Sequence, residues 1–412
     1  MRQLSVLEHI LTPETEKDLF GRQLAEPLLR GENITIFSLP HGGIREKMNY
    51  LIKNSTSLMP GLGKTIFVYL DPNEIVDNRP QTYFRLMGAL MDGKEISHRD
   101  SLLGLREKVK SFVARGYRLV FILGYFYKLN YEATFLDGLF GLHQIDRRKV
   151  SFIFTSAKNI FVEESIRRFG QLTELLLQNI VYFPLFSEKD SRFVVENLSL
   201  RYHYPVDNAQ KKLILAVAGG HPTLILHCLR IFSQNPNLRD VRLIGEKTEI
   251  KMVLENIWES FTSEEKNLLL RIVNGPIVAN KGFLDHLLNL GVIKENRIYP
   301  ALFENFINTR TLKPSCLVTN TENRQLLVNG FPPKGKITSR DYRLLSLFLK
   351  KPGQIISRDE IAETLWQGNS YDKYSDWAID RAIFTLRKRL KEWAISSSCL
   401  QTTKGLGYRW ID

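Results

Sequence analysis

Between residues 338 and 410 the spacing of apolar residues changes character once, and that change limits the folds open to this end of the chain. Up to about residue 393, apolar side chains recur every three or four positions in three separate stretches, the mark of amphipathic helices. The first, 339–349, is stopped by Pro352-Gly353. The second begins at Ser357, where Glu360 three residues on completes a capping box, and runs to Trp366. The third covers 376–393, with Ile379, Ile383, Leu386, Leu390 and Trp393 on one stripe. From Leu400 to Trp410 the helical spacing ends, and Gly405-Leu406-Gly407 supplies the tip of a hairpin. Three amphipathic helices followed by a hairpin predict a winged helix-turn-helix.

The third helix carries Arg381, Thr385, Arg387 and Lys388 away from its apolar stripe, and the hairpin adds Thr402, Lys404 and Arg409. Basic groups neutralise phosphate, and arginine can also form paired hydrogen bonds to guanine, so double-stranded DNA is the expected partner. The charge supports this. The chain has a net charge of +13 and a pI near 9.5, and more than half of that excess lies from Lys313 onward. A basic balance favours nucleic acid or an anionic membrane. No apolar run approaches the roughly 18 residues needed to span a bilayer, and the N-terminus lacks a signal-peptide pattern. Cys228, Cys316 and Cys399 are odd in number and without CxxC spacing. A cytoplasmic protein without disulfides, structural zinc or membrane association is expected.

With these residues in place, the segment 316–411 resembles the effector domain of OmpR/PhoB-type response regulators. The resemblance rests on Tyr342-Arg343-Leu344-Leu345, Pro352-Gly353, Ser357-Arg358-Asp359-Glu360, Trp366, Ile379-Asp380, Leu386-Arg387-Lys388-Arg389-Leu390 and Thr402-Thr403-Lys404-Gly405-Leu406-Gly407-Tyr408-Arg409. It implies that Asp380, Arg381, Thr385 and Arg387 lie at or near the major groove, and that Thr402 and Lys404 hold the backbone or minor groove. The chain departs from the family at Trp377-Ala378, Ala382 and Phe384, where polar or basic residues are usual. Sequence preference therefore does not transfer. Phe384 is open to three roles: contact with a thymine methyl, contact with an adjacent domain, or ordinary packing.

The first half of the chain reads differently. Short apolar strands at 34–39, 65–70, 118–123, 150–155 and 180–183 alternate with amphipathic helices, including 45–53, 82–91 and 101–115. This predicts a parallel sheet covered on both faces. From Ser187 the strands stop and a helical subdomain follows, broken by Gly219-Gly220-His221-Pro222. A capping box at Thr262-Ser263-Glu264-Glu265, a helix at 281–290, a hairpin around Glu295-Asn296 and a helix at 302–307 suggest a second, structural winged helix without a basic face. The expected domains are 1–186, 187–245, 246–312 and 313–412.

Phosphate-binding motifs are present in outline only. Gly61-Leu62-Gly63-Lys64-Thr65 has Leu58 at the first glycine position and is followed by a strand, whereas a phosphate loop must open a helix whose amides face the phosphates. The right context is earlier: the first strand, then Ser38-Leu39-Pro40-His41-Gly42-Gly43-Ile44-Arg45, then a helix. Here Ser38 stands for the first glycine, Ile44 for the lysine and Arg45 for the magnesium-holding hydroxyl. The strand 119–123 ends in Gly124-Tyr125 in place of an acidic pair, so the residues for metal binding and water activation are missing. The layout over 15–312 resembles the STAND branch of AAA+ ATPases, with Phe20-Gly21-Arg22 ahead of the first strand and Gly219-Gly220-His221-Pro222 as the lid motif, which places His221 near nucleotide. The expected fold is thus a P-loop NTPase-like (AAA+/STAND) α/β sheet with a helical lid, followed by two winged helices.

These residues lead to a non-enzymatic DNA-binding regulator whose pseudo-ATPase module is a sensor or scaffold. Self-association on DNA and contact with the transcription machinery or another protein are the expected further partnerships. Two alternatives stay open: a switch that binds ATP or ADP without hydrolysis, using backbone amides and Arg45, and a DNA-tethered scaffold in a defence or mobile-element assembly.

Overall fold

The structure is a computed structural model and describes residues 12–75, 77–94, 101–129, 131–162, 166–274, 281–295, 297–309, 317–320, 325–328, 337–366, 375–393 and 399–411. The chain forms two compact units, Met1–Ile307 and Asn308–Asp412.

In the first unit, β1 (Ile34–Ser38), β2 (Thr65–Leu70), β3 (Arg118–Leu123), β4 (Val150–Ser156) and β5 (Ile180–Phe183) form a parallel sheet in the order β2-β3-β4-β1-β5. All five match the expected strands to within one residue. Strand side chains alternate between faces. Leu119, Phe121 and Leu123 enter one core with Phe135, Leu139 and Phe152, while Val120 and Ile122 enter the other with Ile34, Ile36 and Met48. Because both faces are covered, the strands read as continuous apolar runs. This is the parallel sheet covered on both faces expected from the alternation of strands and helices, and it agrees with the P-loop NTPase-like α/β layer that the resemblance implies.

Helices Glu188–Arg201, Asn208–Ala218 and Pro222–Gln234 follow β5. The first is capped by Ser187, whose side chain accepts from the Asp190 amide at 3.1 Å. The second has a reciprocal box in which Asp207 accepts from the Gln210 amide at 2.7 Å and Gln210 accepts from the Asp207 amide at 2.8 Å. The 246–312 segment contains an additional helix, Thr248–Ser260, ahead of Ser263–Asn274 and Lys281–Asn289. The Thr262–Glu265 box forms at 3.2 and 2.9 Å. Strands Ile293–Lys294 and Arg297–Ile298 pair antiparallel before Ala301–Thr309; Asn296, expected in their turn, lies outside the described residues.

One hydrophobic core runs through all three segments, joining Phe154, Phe186, Leu229, Trp258, Leu290 and Phe303. The parts read as separate domains therefore share a single interior. The expected boundary at 312/313 lies outside the described residues.

In the second unit, Leu317–Asn320 and Gln325–Val328 pair antiparallel; Cys316, the first residue of the segment 316–411, lies outside the described residues. Helices Ser339–Lys350, Arg358–Trp366 and Asp376–Glu392 follow, then strands Leu400–Thr403 and Gly407–Trp410. The expected stripe Ile379, Ile383, Leu386, Leu390 and Trp393 is buried, packing with Leu344, Phe348, Ile361, Tyr408 and Trp410. An additional strand, Ile355–Ile356, pairs with Gly407–Trp410 and makes the wing three-stranded.

Cys228 is a buried free thiol, and Cys399 is buried. Among the described residues, no helix is long and apolar enough to cross a membrane, and no group of His, Cys, Asp or Glu is arranged to hold a metal ion.

Candidate functional site

Helix Asp376–Glu392 presents one face to the core and the opposite face to solvent. Arg381, Phe384, Thr385 and Lys388 are exposed on that outer face together with Trp377. Trp377 is 64% and Phe384 68% exposed, and the guanidinium of Arg381 lies over the Trp377 ring, 4.9 Å from its centroid. The Thr385 hydroxyl donates to the Arg381 carbonyl at 2.8 Å, a local bond that leaves its lone pairs outward.

Asp380 and Arg387 occupy the flank of the helix. Arg387 donates to the Leu400 carbonyl from Nε at 3.0 Å and from Nη2 at 2.7 Å, and to the Thr402 hydroxyl at 2.8 Å. Asp380 accepts from Arg358 at 2.8 Å and from the Tyr408 hydroxyl. Burial, followed by the bond to Asp380, pushes that phenol up to about 12, so it stays a donor. These two residues join the helix to the wing and to helix Arg358–Trp366. The expected outer face is thus formed by Arg381, Thr385 and Lys388, with Arg387 on its edge. Lys404 is exposed in the wing turn and Thr402 on its first strand. Arg409 is half-buried, with Nη2 donating to Gln401 at 3.2 Å.

Sequence reasoning did not name Arg358 or Tyr408 as supports of Asp380, nor Trp377 as an outward residue. A wheel drawn from the buried stripe would have found Trp377, because it sits opposite Ile379, Ile383, Leu386 and Leu390.

The other candidate site lies at the carboxyl ends of the sheet. The helix after β1, Ile44–Lys53, packs on one face of the sheet through Ile44, Met48 and Leu51, and the helix after β3, Ala133–His143, packs on the other through Phe135 and Leu139. Connections that leave on opposite faces open a crevice, the usual ligand position in such sheets. A cavity of about 680 Å3 occupies it, with Ser38, Gly43, Ile44, Tyr125, Lys128 and Lys158 among its lining.

The phosphate-loop position is fastened to the helical lid. His221 is fully buried; its Nδ1 accepts from the Leu224 amide at 3.3 Å and its Nε2 donates to the Pro40 carbonyl at 2.9 Å. Burial draws its pKa down to about 4, so the ring is neutral. Thr223 donates to the His41 carbonyl at 2.8 Å, and Asn256 lies 2.8 Å from the His41 ring. Gly42 and Gly43 complete the turn, Gly43 with φ of 75°.

Arg45 points to the end of β2. It pairs with Glu74 and, at 3.4 Å, with Asp71, whose side chain is fully buried. Lys47 lies over the rings of Phe183 and Phe186, and desolvation draws its pKa down to about 8. At Gly124 a Cβ would stand 2.7 Å from the Tyr69 hydroxyl, so the phenol of β2 fills the space an acidic side chain would need. Tyr125 holds a positive φ of 46° and its amide donates to Thr155 at 3.0 Å. The sequence-predicted residues Ser38, Gly43, Ile44 and Tyr125 line this crevice; His221 is buried and bonded to Pro40 of its wall, and Arg45 is held in its own ion pairs.

A three-helix unit with an outward basic helix face beside a three-stranded wing is a winged-helix nucleic-acid-binding domain. Residues 334–410 match the family described as "Transcriptional regulatory protein, C terminal", and the C-terminal domain is an OmpR/PhoB-type DNA-binding domain. The chain is similar to the uncharacterized transcriptional regulatory protein YclJ of Bacillus subtilis, 30% identical over 115 residues that cover 28% of this chain and 48% of YclJ. It is also similar to the regulatory protein VirG of Rhizobium rhizogenes, 35% identical over 75 residues covering 18% and 30% of the two chains. The chain spans about half the length of YclJ and less of VirG. Among solved structures it is similar to the Aeropyrum pernix ORC2 protein, with 14% identity, 72% and 92% coverage and a TM-score of 0.43.

Proposed function

We propose that the protein is a cytoplasmic transcriptional regulator that binds double-stranded DNA through its C-terminal domain, and that its α/β unit is a non-hydrolysing sensor or scaffold. The observation that carries the first part is the outward face of Asp376–Glu392, where Arg381 and Lys388 are exposed, together with Lys404, exposed in the wing turn. Helix and wing together suit one major groove and the adjoining backbone. Single winged helices bind modestly, so self-association on adjacent half-sites is part of the proposal.

The second part is supported by the substitutions at the sheet's carboxyl ends. Ile44 takes the place of the phosphate-binding lysine, Arg45 is ion-paired with Asp71 and Glu74, and Tyr69 occupies the space beside Gly124. A reading as an ATP- or ADP-gated switch is favoured by one observation, the crevice with Lys128 and Lys158 in its wall.

The DNA reading is tested by selecting bound duplexes from a random pool and titrating the best one against salt. Five neutralised phosphates would give log affinity falling against log salt with a slope of roughly −4 to −5. Equal binding to all duplexes would leave only a tethering role. Binding of a fluorescent ATP analogue tighter than about 100 μM, roughly −5.5 kcal/mol, would establish the switch reading, and its absence up to millimolar would leave the scaffold.

A further inference from the structure

Two large aromatic side chains stand in solvent on the DNA-facing helix, where polar groups would cost nothing to hydrate. Trp377 and Phe384 are 64% and 68% exposed, and Arg381 and Lys388 alternate with them along the same face. The positions 377, 381, 384 and 388 follow helical spacing, so the four side chains form one strip opposite the buried stripe. The unit's core is complete without the two rings, since Leu344, Phe348, Ile383, Leu386 and Trp410 fill it.

A strip of alternating cation and aromatic ring fits a surface that is anionic overall and carries separate apolar spots. The major groove of DNA is such a surface, and the C5-methyl of thymine is the apolar group its base edges display. Trp377 and Phe384 are seven positions apart, a rise of about 10 Å along the helix, close to three base steps of about 3.4 Å.

We infer that Trp377 and Phe384 determine sequence specificity by packing on two thymine methyl groups about three base pairs apart, while Arg381 and Lys388 hold the flanking phosphates. This rests on the proposed DNA binding of the C-terminal domain. The guanidinium of Arg381, stacked on Trp377, is kept along the strip by that contact.

The test uses the full-length protein and the duplex it selects from a random pool. Each thymine is replaced in turn by deoxyuridine, which removes only the methyl, and affinity is read by fluorescence anisotropy. Loss of about fourfold is expected at each of two positions about three base pairs apart, the value of one buried methyl. In Phe384→Ala the penalty disappears at one position, and in Trp377→Ala at the other. Both residues are exposed, so circular dichroism and thermal midpoints of the variants should match the parent. The inference is overturned if the selected duplex lacks thymines at that spacing, if deoxyuridine costs nothing anywhere, or if the penalties persist in both variants. It is also overturned if Phe384→Ala abolishes self-association while methyl dependence is absent, which assigns the strip to a second copy of the chain. Failure to select any duplex overturns the DNA-binding proposal itself and this inference with it.

Discussion

The guanidinium of Arg387 is bonded to the hydroxyl of Thr402 at 2.8 Å and twice to the Leu400 carbonyl. A residue expected to read DNA therefore fixes the angle between helix and wing, while Lys388, the next residue, is exposed. The two should separate in experiment. Arg387→Ala should lower the stability of the C-terminal unit by about 1–3 kcal/mol, since it leaves the Leu400 carbonyl without its charged donor. Lys388→Ala should leave stability within about 0.5 kcal/mol. It should weaken binding evenly across duplex sequences and reduce the salt slope by about one. Urea unfolding and salt titrations of both variants check this. An unchanged unfolding midpoint in Arg387→Ala would remove its structural role.

Arg45 and Asp71 define a second expected outcome. Asp71 is fully buried and Arg45 is its cationic neighbour at 3.4 Å. Removing the cation leaves a buried carboxylate uncompensated. Because the Arg45 side chain is 41% exposed, the cost should be below that of a fully buried pair, about 1–3 kcal/mol. Arg45→Ala should therefore destabilise the α/β unit whether or not nucleotide is added. In Arg45→Ala/Asp71→Asn much of the loss should return. If Arg45→Ala instead leaves the urea midpoint unchanged and lowers affinity for an ATP analogue, the side chain is a ligand contact.

His221 makes the α/β unit sensitive to acid. Its folded pKa is drawn down to about 4 by burial, against an ordinary histidine value of about 6.5. Between those two values the unfolded chain binds a proton that the folded chain does not, so stability falls as pH falls from about 6.5 to about 4 and is flat above it. His286 is also buried and lowered to about 4, and it acts in the same direction. Glu265, raised by burial, acts in the opposite sense. The His221 contribution is of the order of 3 kcal/mol when fully developed. Hydrogen exchange of Pro222–Gln234 at pH 7 and pH 5 should show protection lost at the lower pH, with the change reduced in His221→Gln. Equal protection at both values would rule out the neutral buried ring.

The strands of the sheet were legible because each is a continuous apolar run bounded by polar turns, and burial on both faces imposes that pattern on any sequence. The C-terminal helices were legible for a related reason: Ile379, Ile383, Leu386 and Leu390 repeat at helical spacing, and Ser357 and Glu360 mark a helix start. What escaped was set by distant partners. The strand Ile355–Ile356 is too short to show alternation and exists because Tyr408 and Arg409 pair with it. Helix Thr248–Ser260 follows Lys247, which provides no side-chain cap, so no capping signal marks its start. The roles of Asp380 and Arg387 depend on Arg358, Tyr408 and the Leu400 carbonyl, none of which is near them in sequence. The three segments of the first unit differ in pattern yet share one core, because periodicity says nothing about which apolar faces meet.

The wing provides the sharpest contrast between two glycines. Gly407 has φ of 137° and precedes Tyr408, the partner of Ile356 in the extra strand, so a Cβ there would stand 2.1 Å from the Ile356 carbonyl oxygen. Gly405 has φ of 77° in the turn, with nothing within 4 Å of an added Cβ. Alanine at position 405 meets only the backbone cost of a left-handed residue, about 1–2 kcal/mol. Alanine at 407 adds a collision with a backbone atom that cannot move without disturbing the Ile355–Ile356 pairing, so its cost should exceed that of Gly405→Ala by about 1–3 kcal/mol or more. The wing also carries Thr402 and Lys404, so Gly407→Ala should weaken DNA binding as well, while Gly405→Ala should bind nearly as the parent does once folded. Thermal unfolding and anisotropy on one selected duplex measure both effects. Equal midpoints for the two variants would mean that the three-stranded wing does not form as described.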